Sequence, residues 1–63
     1  MIYIDTDKVR IEKYDQIEDI SSKLITIKYK NNLLSIVGKN MYVRYISKDE
    51  IEIKGLIKEF KYD

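Results

Sequence analysis

The chain has 63 residues, a formal net charge of +1, no Cys and no His. One domain over residues 1–63 is all that this length supports, and so short a chain buries only about 60% of the surface its unfolded form exposes. The missing residue types exclude disulfides and the usual zinc sites, and they remove the commonest general base and the strongest neutral-pH nucleophile.

Twelve Ile, three Val and six Tyr stand against four Leu, no Ala and no Pro. Residues of that kind suit a pleated, half-buried surface, so strands are expected throughout. Met1 to Ile4 reads as a small edge strand and Asp5-Thr6-Asp7 as a turn. Val9 and Ile11, with Lys13 at the margin, form a short strand. Asp15, Ile17 and Ile20 mark a second short strand or an irregular segment.

The clearest local unit is LITIKYK-NN-LLSIVGK, in which Asn31 and Asn32 separate two β-rich runs. Asn tolerates the positive φ of a type I′ turn, so a two-residue hairpin is expected at Asn31-Asn32. That register sets Lys30 against Leu33, Tyr29 against Leu34 and Ile27 against Ile36. It gathers Ile25, Ile27, Tyr29, Leu34 and Ile36 on one face, with Thr26, Lys28, Lys30 and Ser35 on the other.

Val37-Gly38-Lys39-Asn40 reads as a second turn. A strand from Met41 to Ile46 follows, with Met41, Val43 and Tyr45 on one face and Tyr42, Arg44 and Ile46 on the other. Bulk on both faces points to a doubly covered strand or a dimer seam, unless Arg44 and one tyrosine lie in solvent. Ser47 to Glu50 is a polar turn. Ile51 and Ile53 then alternate with charged residues until Gly55, where a bulge or sharp bend is expected. Leu56, Ile57, Phe60 and Tyr62 complete a bent final strand, a reading preferred to a helical turn at 56, 57 and 60. The expected class is all-β: a small antiparallel sheet or meander. A partly closed barrel or an intertwined dimer would be its better-buried forms.

This pattern resembles the YabP/YqfC family of bacterial sporulation proteins. The resemblance runs from about Val9 to Tyr62. It rests on Ile36-Val37-Gly38-Lys39-Asn40-Met41 and on Ile51-Glu52-Ile53-Lys54-Gly55-Leu56-Ile57 leading to Phe60 and Tyr62. Met41 stands where that family usually shows Leu, and some members carry a longer basic leader. The resemblance implies a small non-enzymatic protein of spore-forming bacteria, tied to spore formation or the spore coat. It supplies no catalytic residues.

The residues themselves lead to the same class. Ser21, Ser22, Ser35 and Ser47 have no His to activate them. The carboxylate pairs Asp5 with Asp7 and Glu50 with Glu52 read as solvated faces. Thus no catalytic, cofactor-binding or metal-binding residue is expected, and the core leaves little room for a ligand pocket. The expected activity is association, as a dimer or larger, and, as the resemblance implies, contact with a sporulation partner. Tyr42, Arg44 and Tyr45 are the candidate contact residues, because Tyr and Arg are enriched at binding hot spots.

The alternative is a small barrel that binds nucleic acid through Lys28, Lys30, Lys39 and Arg44, with Tyr29 and Tyr42 stacking on bases. Against it stands the near-neutral charge balance. Residues 1–20 carry six acids and three bases (−3), whereas residues 21–63 carry nine bases and five acids (+4). That asymmetry would suit head-to-tail pairing or simply keep edges soluble. No apolar run approaches the roughly 20 residues of a membrane span, and acids interrupt the N-terminal segment. The expected location is the cytoplasm, which the resemblance would make that of the mother cell or the developing spore.

Overall fold

A computed structural model describes residues 1–62. The strands are β1 (Ile2–Ile4), β2 (Lys8–Glu12), β3 (Gln16–Ile20), β4 (Leu24–Tyr29), β5 (Asn32–Ile46) and β6 (Glu50–Tyr62). They form one sheet in the order β1-β2-β6-β5-β4-β3, and every neighbouring pair is antiparallel. The all-β expectation holds. The sheet does not close, and β1 and β3 are its free edges.

The long central strands make this sheet its own second layer. Val9, Ile11, Ile25, Ile27, Leu34, Ile36, Ile51 and Ile53 are all 0% exposed, yet among the described residues there is no helix to cover them. A sheet can bury a face this completely only by folding over on itself. The first part of β5 and the last part of β6 join β4 and β3 on one side. The last part of β5 and the first part of β6 join β2 and β1 on the other. The inner faces of both halves meet in one cluster with Tyr29 and Met41.

The fold-over occurs where β5 and β6 slip register, between Val37 and Gly38, Lys39 and Tyr42, and Val43 and Tyr45. Gly38 is therefore not in a turn. The expected Val37–Asn40 turn is a kink within one continuous strand, with Asn40 at φ 55°. A Cβ at Gly38 would run into the Leu56 carbonyl oxygen, so the glycine lets the two bent strands touch. Gly55 performs the same service in β6, as the expected bend.

The flanking turns lie along this crease. Gly38 N–H donates to the Lys23 carbonyl (3.1 Å) and Met41 N–H to that of Ser22 (2.9 Å). Gly55 N–H donates to the Asp7 carbonyl (3.2 Å) and Ile57 N–H to that of Thr6 (3.0 Å). The β2–β3 connection ties the halves together. Lys13 N–H donates to Asp49 on one side, Asp15 N–H donates to Lys28 on the other (2.8 Å), and the Tyr14 hydroxyl donates to the Ser47 carbonyl (2.7 Å).

The β4–β5 hairpin forms, but one residue earlier than expected. Tyr29 pairs with Asn32, Lys28 with Leu33 and Ile27 with Leu34. The turn residues are Lys30 (φ 48°) and Asn31 (φ 65°), the positive pair that a type I′ turn requires. Asn32 is instead the first residue of β5. Its amide donates to the Tyr62 hydroxyl (2.8 Å). The expected inner face survives because each partner moved by two residues, an even step that keeps the alternation.

Candidate functional site

The bulge near the end of β5 decides what the surface offers. Val43 pairs with Ile53, and Tyr45 pairs with Glu52, so Arg44 is the extra residue. An inserted residue reverses the alternation beyond it. Tyr45 thus joins Tyr42 on the outer face, not Met41 and Val43 as the simple alternation implied. Tyr42 is 55% exposed and Tyr45 50% exposed, while Met41 is buried. Arg44 is exposed as well.

Cross-strand registry extends this face over four strands. Tyr3 pairs with Arg10, Arg10 with Glu52, and Glu52 with Tyr45. The adjacent row runs Lys8, Lys54, Tyr42. On the other side Glu12 opposes Glu50. Tyr3, 49% exposed, therefore belongs to the same surface as Tyr42 and Tyr45. Sequence alternation alone could not place it there, because Tyr3 and Tyr45 are linked only through the long-range pairing of β2 with β6.

Arginines hold the charges of this face. Arg10 binds Glu50 (2.8 Å) and Glu12 (3.2 Å), and its guanidinium lies 5.9 Å from the Tyr3 ring centroid. Arg44 donates to Glu52 (2.8 Å). The hydrogen bond to Glu50 raises Arg10 above the ordinary arginine value, opposed by desolvation and reinforced by the charges of Glu50, Glu12 and Glu52. The carboxylates Glu50 and Glu52 are therefore engaged by arginine. Among the described residues, no group of three or more His, Cys, Asp or Glu is placed to hold a metal ion. The result is a broad, pinned surface of three tyrosines among paired charges, with the composition that protein contacts favour.

The alternative set does not assemble in the same way. Tyr29 is 6% exposed, its ring edge-on to Tyr62 with centroids 6.4 Å apart. Lys28 lies on the opposite face of β4 from Tyr29, and Arg44 is committed to Glu52. Lys30 lies over the Tyr29 ring (5.5 Å), whereas Tyr42 and Arg44 stand near the end of β5, so Lys28, Lys30, Lys39, Arg44, Tyr29 and Tyr42 do not form one face. Of the acidic residues of the first third, Asp5, Asp7 and Glu12 fall in the β1–β2 hairpin and Glu18 and Asp19 in β3, with Asp15 in the connection between β2 and β3.

No helix among the described residues is long and apolar enough to cross a membrane. Neither the curated proteins nor the solved structures contain a match to this chain. The model of the YabP family matches residues 1–63, which extends the likeness beyond the Val9–Tyr62 stretch to β1. With its whole length matched, the chain belongs to the YabP family.

Proposed function

We propose that this chain is a non-enzymatic structural or interaction protein of bacterial sporulation. It acts through self-association and protein contacts, in the cytoplasm of the mother cell or developing spore. Family membership supports the process. The exposed Tyr3, Tyr42 and Tyr45 face, braced by Arg10 and Arg44, supports the mode of action. Rigid aromatic side chains give large contact area at small entropic cost, and a surface already fixed by ion pairs has less to order on binding.

The test is a clean deletion in the source organism, scored by heat-resistant spores against vegetative growth. A large loss of spores with normal growth is expected, restored by the wild-type gene. A Tyr42→Ala/Tyr45→Ala gene should fail to restore them while its product remains folded. Normal spore counts in the deletion strain would defeat the sporulation reading.

A further inference from the structure

The two free edges of the sheet differ in kind. β3 carries Glu18 and Asp19 and is broken by a register shift between Ile17 and Asp19. Charges and a bulge are the usual devices that keep an edge from pairing. β1, Ile2-Tyr3-Ile4, has neither. Tyr3 and Ile4 are about half exposed (49% and 51%). A shallow groove lined by Ile2, Tyr3, Ile4, Asp5, Lys8 and Arg10 runs beside them.

The hydrogen-bond parity of β1 shows which groups remain free. Glu12 N–H donates to the Met1 carbonyl, and Asp5 N–H donates to that of Lys8. The main-chain groups of Met1, Tyr3 and Asp5 therefore turn inward to β2. Alternation sends those of Ile2 and Ile4 outward, to the open side.

We infer that β1 is the self-association edge, pairing antiparallel with β1 of a second copy about a two-fold axis at Tyr3. In that register Ile2 opposes the second copy's Ile4, and Ile4 its Ile2. Both become hydrogen-bonded pairs that use the free groups. Tyr3 opposes Tyr3 in the closer, non-hydrogen-bonded position, where aromatic pairs are favourable. No charged side chain meets its like within the paired segment, whereas pairing β3 with itself would bring its acids together. A second copy is the fitting occupant because the sequence Ile-Tyr-Ile is its own complement under this rotation. The outer row Tyr45, Glu52, Arg10, Tyr3 then continues into its rotated copy, giving one doubled face. So short a pairing buries less than the roughly 1,600 Å² of a standard interface, so the dimer is weak and concentration-dependent.

This rests on the self-association reading, and the test separates the two. The chain lacks cysteine, so Tyr3→Cys introduces a sole thiol. Across a non-hydrogen-bonded pair the α-carbons lie about 4.5 Å apart, within the roughly 4.4–6.8 Å that a disulfide spans. Mild oxidation should give a disulfide dimer for Tyr3→Cys and none above background for Ile4→Cys, whose symmetry mate is displaced along the strand. Sedimentation of the wild type should show dimer growing with concentration. Tyr3→Glu, whose carboxylate sits beside Arg10 in one chain but faces its twin across the axis, should be monomeric. Ile4→Pro should match it, because it removes only an outward N–H. A wild type that associates while neither variant shifts it, with no Tyr3→Cys cross-link, overturns the edge and leaves self-association standing. A wild type that is monomeric up to millimolar concentration overturns both.

Discussion

Gly55 in β6 rests directly against Met41 in β5: a Cβ at position 55 would lie 2.7 Å from the Met41 Cα and 2.9 Å from the Asn40 carbonyl oxygen. Gly55 also sits at φ 142°, where side chains other than hydrogen are strained. The two long strands bend at this contact, so the burial of both inner faces depends on it. Gly55→Ala is expected to cost about 3 kcal/mol, from backbone strain and overpacking together. A urea-unfolding midpoint equal to that of the wild type would refute this account of the crease.

Ile53 and Ile46 test whether the fold-over, not strand composition, provides stability. Both are in the β5–β6 ladder, but Ile53 is 0% exposed and Ile46 is 50% exposed. Ile53→Ala is expected to cost about 3 kcal/mol, and Ile46→Ala at most about 0.5 kcal/mol. A core this small rarely supplies more than about 3–5 kcal/mol, so Ile53→Ala should leave much of the chain unfolded at room temperature by circular dichroism. Similar losses at both sites would mean the inner faces are not sealed.

Strand content and inward-facing residues were legible because alternation reports them directly. Alternation gathers Ile25, Ile27, Tyr29, Leu34 and Ile36 on one face, and all five are buried. Alternation reports parity, however, and not register. Hence parity is satisfied equally by a turn at Asn31-Asn32 and by the observed one at Lys30-Asn31, which keeps the same faces. It also fails at every inserted residue. Arg44 reverses the pattern, and Tyr45 moves to the outer face with no local signal. At Gly38 the sequence does not separate a kink from a turn, because both need close backbone approach. The share of Tyr3 and Arg10 in the surface was hidden for another reason: β2 pairs with β6 across some forty residues of chain, and no short-range pattern encodes that.

The hairpin gives a prediction of opposite sign. Lys30 (φ 48°) holds a left-handed conformation that costs a residue with a long side chain, and Asn31 (φ 65°) bears it better. Asn-Gly is the favoured type I′ pair. Lys30→Asn with Asn31→Gly should therefore raise stability by about 1 kcal/mol. Asn31→Val should lower it by a similar amount, since β-branched residues tolerate positive φ poorly. Both changes are read from urea midpoints. A stabilising Asn31→Val would contradict the turn assignment.

Arg10 tests the electrostatics of the outer face. Its raised value means that its contribution is complete at any pH below the ordinary arginine range. It fades only as pH climbs through the still higher folded value, so titrating this arginine in neutral solution changes nothing. Salt is the usable variable. Arg10→Gln leaves Glu12 directly across from Glu50 with no guanidinium between them. Like charges so placed are destabilising. The variant should unfold at lower urea than the wild type, with the widest gap at low salt. Raising salt from about 0.01 M to about 1 M shortens the screening length from roughly 30 Å to roughly 3 Å, and the gap should narrow. A gap indifferent to salt would show that Arg10 matters through its packing on the Tyr3 ring, and the face would then be held by shape and not by charge.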